Sequence, residues 1–169
     1  MPTLPTWDLF ITLFFIIAVA FGFILQRDKV VLTTISIYVA LVITGVLADP
    51  ILQFFAGEKA IFNSVFIKGI NNPFIIKATL LTIVIAIVTT KSGLEGKGSG
   101  GILSPLELLA YSFLNAALIM SSIFFFMEVS MRDGFAETSK LAGFIINHYT
   151  WWVVLPVALL IALGIKRGD

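Results

Sequence analysis

Apolar side chains in this chain come in long unbroken blocks. They show neither the period-two alternation of a half-buried strand nor the single apolar stripe of a surface helix. Residues 9–25 carry no charge, and neither do residues 30–48. Only Gln26-Arg27-Asp28-Lys29 lies between them, a turn too short for anything except an antiparallel hairpin. At a rise of about 1.5 Å per residue each block makes roughly 26–29 Å of helix, close to the thickness of a bilayer's hydrocarbon core. Further spans follow at about 73–90, 105–127 and 141–165. The pattern predicts an all-α fold: a polytopic helical membrane bundle of four to five transmembrane helices, one domain over 1–169, with short interfacial helices.

Local signals place the ends of these spans. Thr6 is suited to cap the first, with Asp8 in the first turn, where the helix dipole favours a carboxylate; that structural role is preferred to a catalytic one. Asp49-Pro50 is expected to end the second, because the residue before a proline is pushed out of the helical region. The connection 51–72 holds Ile51, Leu52, Phe54, Phe55, Phe62 and Phe66, too apolar for a free loop. It reads as an interfacial segment of short helices, with Lys59 and Lys68 reaching for headgroups. Asn72 and Pro73 start the third span as cap and first helical residue, and Lys77, one turn in, can snorkel to the surface. Gly93 is a natural terminator. Ser104-Pro105-Leu106-Glu107 is the strongest local signal, a capping box with proline at the first helical position. Residues 128–139 read as a charged loop, after which Thr138 or Ser139 caps a last span that Pro156 is expected to kink. Trp7, Trp151 and Trp152 stand near span ends as interfacial anchors, and Lys166-Arg167 marks the exit. Counting Lys and Arg in the connections gives six on one side against five on the other, a small bias toward an outside N-terminus.

Composition agrees on the solvent. Apolar residues make up 59% and charged residues 12% of the 169, far from the roughly 25% charged residues of soluble domains. Mean hydropathy is +1.04. A net charge of +1 lacks the concentrated basic surface that nucleic acid requires. With no cysteine, thiolate nucleophiles, disulfides and Cys-ligated metal centres are excluded. No basic residue precedes the first span. Ala18-Val19-Ala20 resembles a cleavage site, but the apolar run continues through it, so it reads as part of a retained span.

Candidate chemistry is sparse. Gly96-Lys97-Gly98-Ser99-Gly100-Gly101 matches the letters of a dinucleotide fingerprint, but a membrane span precedes it where the fingerprint needs a strand, so it reads as a linker. His148 is the single histidine and reads as an interfacial polar residue; Glu128, Asp133 and Glu137 read as a solvated loop beside Arg132 and Lys140. No ionisable residue lies near the middle of any span, where proton-coupled transporters usually carry one. The most polar mid-span side chain is Asn115, with Ser112 and Ser121 nearby. Small and hydroxyl residues mark the helix-packing or pathway candidates: Gly22 (four after Ala18), Thr44, Ser112, Asn115 and Ser121. No catalytic, cofactor-binding or metal-ligating set can be assembled, so no cofactor and no enzymatic activity are expected.

Four stretches resemble the colicin V production protein family of small bacterial inner-membrane proteins. They are Thr6-Trp7-Asp8 before the first span, Gly22-Phe23 leading into the basic hairpin at Lys29, Lys91-Ser92-Gly93-Leu94 with its glycines, and Ser139-Lys140-Leu141 continuing through Trp151-Trp152 to Leu155-Pro156. The chain departs from that family at Ser104-Pro105-Leu106-Glu107, in the absence of a basic residue in span four, and in a full fifth span. The resemblance implies a multi-pass protein of a bacterial inner (plasma) membrane, non-enzymatic, linked to peptide-toxin export and envelope homeostasis. The residues and the resemblance together lead us to expect a scaffold or accessory protein working through partners: the bilayer, other membrane proteins or a second copy, and no nucleic acid. The alternative is a small oligomeric channel or transporter with a pathway lined by Thr33, Thr44, Thr82, Thr89, Ser112 and Asn115.

Overall fold

The structure, a computed structural model, describes residues 6–24, 27–57, 72–91 and 104–167. Seven helices account for nearly all of them: α1 (Trp7–Ile24), α2 (Arg27–Gly57), α3 (Pro73–Lys91), α4 (Pro105–Phe126), α5 (Val129–Thr138), α6 (Lys140–Asn147) and α7 (Tyr149–Arg167). Among the described residues there is no strand. Four helices (α1, α2, α3 and α4) are long and apolar enough to cross a membrane, and a fifth crossing is reached if α6 and α7 count as one bent span. The chain is an all-α, multi-pass membrane protein.

Two compact units make up the chain: Met1–Thr34 with Leu94–Asp169, and Ile35–Gly93. In the first, α4 is the most enclosed span, 61% buried against 11% for α1. Its inward residues include the small side chains of Ala116, Ala117, Ser121 and Ser122, which let neighbouring backbones come close. Ile11 of α1, Ala117, Met120 and Phe124 of α4, Ala142 and Ile145 of α6 and Trp152 of α7 form one core cluster; Val30, Leu108 and Tyr111 form a second, joined by Leu159 and Leu160. In the second unit, Ile37, Ala40, Thr44 and Ala48 on one stripe of α2 are buried, while Ile35, Val39, Val42 and Val46 on another are exposed. That spacing is the signature of a helix with one packed face.

Several helix ends follow local chemistry. Ser104 Oγ accepts from Glu107 N while the Glu107 carboxylate accepts from Ser104 N at 2.8 Å, a complete capping box. Asn72 Oδ1 accepts from Phe74 N. Ser139 Oγ accepts from Ala142 N, so Ser139, not Thr138, caps the helix that follows.

Four expectations are corrected. The hairpin turn is shorter than Gln26-Arg27-Asp28-Lys29, since α2 already begins at Arg27. Asp49-Pro50 does not end the second span: α2 runs through Pro50 to Gly57, so Ile51 and Phe54 extend it and do not start a separate interfacial helix. A proline removes one backbone bond, whereas ending the helix beside lipid would strip several carbonyls of partners at once. Residues 128–139 are not a loop but carry α5, whose Phe135 packs on Trp7 and Phe124. The last span is broken at His148 by a 66° bend between α6 and α7, and α7 stays helical through Pro156. Residues 58–71 with Lys59 and Lys68, Gly93, and the glycine run at 96–101 lie outside the described residues.

Gly22 sets how closely α1 approaches α4. A methyl group there would overlap Ser112 Oγ and stand 2.6 Å from Ser112 Cβ. Gly22→Ala should therefore lower thermal stability in detergent by about 1–3 kcal/mol, the usual cost of overpacking. Adding Ser112→Gly, which removes both clashing atoms, should recover most of that loss.

Candidate functional site

The most concentrated polar chemistry inside the first unit joins α2 to α4. Asn115 is buried on α4, and both ends of its amide are bound. Its Nδ2 donates to the Val30 carbonyl at 3.0 Å, and its Oδ1 accepts from Thr34 Oγ1 at 2.8 Å. Thr34 Oγ1 also lies 3.2 Å from the Val30 carbonyl, so the three residues close a small network that is fully buried at Thr34. An amide in an apolar interior demands such partners, because leaving it unpaired costs several kcal/mol, of order 2–7. The network ties the first turns of α2 to α4.

The remaining candidates are held separately. Ser112 Oγ donates to Leu108 O, and Ser121 Oγ to Leu118 O, each within α4; Ser122 Oγ shares that acceptor at 2.6 Å. Thr33 and Thr82 bond back to Lys29 O and Ala78 O. Gly22 is buried against Ser112. Thr44 stands apart in the second unit: it is 1% exposed, and neither its hydroxyl nor that of Thr89 has a hydrogen-bond partner.

A second polar junction ties the start of α1 to the start of α6. Asp8 Oδ1 accepts from Ser139 Oγ at 2.6 Å and from Leu141 N at 3.0 Å. The carboxylate placed in α1 by its first-turn preference thus caps a different helix, 131 residues away in sequence. Local spacing carries no trace of this, although the Ser139 capping signal marks the receiving end.

The anchors divide. Trp151 is 60% exposed and Trp7 half-exposed with its ring edge on Phe135, both free to meet an interface. Lys77 is half-buried on α3. Trp152 is no interfacial anchor: it is 8% exposed, and its Nε1 donates to Ile145 O at 3.1 Å. In an unbroken helix that carbonyl would take the amide of Tyr149; at the bend the indole supplies the donor.

Among the described residues no three of His, Asp and Glu come together as metal ligands. What the fold defines is a multi-pass helical membrane protein whose described interior polar groups mostly bond to one another or to their own helices. Compared with protein-family models, curated proteins and solved structures, the chain has no match.

Two outcomes follow from the junctions. A double-mutant cycle on Thr34→Val and Asn115→Leu, read by thermal unfolding in detergent, should give a coupling of about 0.6–1.7 kcal/mol, the range for hydrogen bonds between membrane helices. Asp8→Ala should speed amide exchange at Leu141 and Ala142, while Asp8→Asn, which keeps an acceptor oxygen, should leave it slower than in the alanine variant.

Proposed function

We propose that this protein is a scaffold or accessory subunit of a bacterial inner membrane, acting through partner membrane proteins and not through chemistry of its own. The observation that carries this reading is the Thr34–Asn115–Val30 network: Asn115, the most polar mid-span side chain of α4, is bound to Thr34 and to the Val30 carbonyl of α2, in a packing role. Ser112, Ser121, Thr33 and Thr82 likewise bond to carbonyls of their own helices. A protein built this way offers its partners shaped helix faces. The resemblance to colicin V production proteins adds the setting of this proposal, export of a peptide toxin and envelope homeostasis.

One observation favours the alternative of a small oligomeric channel or transporter. Thr44 and Thr89 keep buried hydroxyls with no hydrogen-bond partner, and such groups favour a passing polar solute or water over lipid.

Purification in gentle detergent from the native membrane separates the two. The scaffold reading expects other membrane proteins at constant stoichiometry and no solute flux in liposomes. A homo-oligomer free of other proteins, with flux reduced severalfold by Thr44→Val, would replace it with the channel reading.

A further inference from the structure

We propose that α6 is an interfacial half-helix, lying along the headgroup boundary with the ridge Leu141, Phe144, His148 and Trp151 against lipid, so that α7 alone makes the last crossing. The levels of its two ends carry the inference. At its start, Leu141 N is bound by Asp8, the second residue of α1. Just past its other end, the ring of Tyr149, the first residue of α7, stacks on Phe125 at 4.5 Å and 5°, one residue before α4 ends. The start of α1 and the end of α4 lie at one end of the bundle, because Phe135 touches both Trp7 and Phe124. Both ends of α6 are therefore level with the ends of apolar spans, and α6 runs across that end instead of dipping into the bilayer.

Length agrees. The eight residues of α6 reach only about 12 Å, whereas the 17 residues of α7 before Lys166 reach about 26 Å, within the range that spans a hydrocarbon core.

The faces of α6 then select lipid as the occupant. Ala142 and Ile145 are buried in the core cluster, and Leu141 (38% exposed), Phe144 (53%) and Trp151 (60%) point away from it. The outer ridge has the spacing of one helix face and continues past His148 into Val154, Val157 and Ile161 of α7, the surface of an apolar crossing. Lys140 and Asn147 are exposed beside it and His148 within it, the mixture of aromatic and polar groups that the headgroup region favours. Two clips keep α6 from straightening into α7: Asp8 on its amino end and the Trp152 indole on the Ile145 carbonyl.

The cysteine-free chain allows a direct test in the full-length protein. Single spin labels at Phe144→Cys, Asn147→Cys, Trp151→Cys and Val157→Cys are read for collision with oxygen and with an aqueous nickel reagent. The host is nanodiscs of phosphatidylcholine and phosphatidylglycerol. Expected is Phe144 and Trp151 within about 5 Å of the phosphate plane, one helical turn, Asn147 on its aqueous side, and Val157 about 9 Å deeper than Trp151. A label at Asn147 as deep as that at Val157 would make α6–α7 a re-entrant dip and overturn the proposal. A label at Phe144 reached by nickel and not by oxygen would overturn it as well, by placing α6 in water. Asn147→Cys replaces an exposed polar side chain, so the depth ranking against Val157 survives even if Phe144→Cys fails to fold.

Discussion

Inside a bilayer's hydrocarbon core there is no water to take the hydrogen bonds of a bare peptide group, so the backbone must satisfy itself. That constraint explains the helical character of the described chain, including the places where local signals argue otherwise. Pro50 lies within α2 and Pro156 within α7, and neither stops its helix. Where the chain does break, at His148, the structure supplies a donor from a side chain: the Trp152 indole reaches the Ile145 carbonyl seven residues back. The same demand is met at the start of α6, where Asp8 and Ser139 take the amides of Leu141 and Ala142. The start of this eight-residue helix is closed by its own cap Ser139 together with the distant Asp8, and its end by a side chain beyond the bend.

Once every span is helical, apolar character no longer tells the helices apart, because lipid tails are as apolar as leucine. Small and polar residues then decide which faces meet. On α4 alanines and serines stand among the inward residues, and Gly22 lets α1 come against Ser112 at a distance no other residue would permit. Asn115 adds direction: its amide reaches the Val30 carbonyl and the Thr34 hydroxyl, so the first turns of α2 meet α4 at one place. A polar side chain in this setting can serve either as glue or as part of a pathway, and its partners distinguish the two. The partners of Asn115 are protein groups, which is why the scaffold reading rests on it.

The end of the bundle where α1 begins and α4 ends is the most elaborated part of the described chain. Phe135 of α5 lies between Trp7 and Phe124, and Gly143 of α6 passes close to the Ala136 carbonyl of α5, where a methyl group would stand 3.1 Å away. α5 is therefore a packed cap, although its sequence is polar enough to read as a loop. Its exposed charges, Glu128, Asp133 and Glu137, face outward, and the apolar ring of Phe135 holds it down.

The sequence by itself determined that this is a multi-pass helical membrane protein and roughly where its spans lie. Uncharged runs near 20 residues have only one stable solution in lipid, and the capping box at Ser104 and Glu107 depends on residues three apart. The candidate site was legible in part: Asn115 and Ser112 stood out as polar groups in apolar runs, and Gly22 as a small one. The tertiary structure decided what those residues do. That Asp8 caps α6, that Trp152 is buried while Trp151 is exposed, and that Asn115 finds Thr34 are facts of contacts between residues 81 or more apart, or of the bend at His148. Local hydropathy is a property of neighbours along the chain, whereas a hydrogen bond between helices depends on which faces are brought together, and no spacing rule along one helix records that.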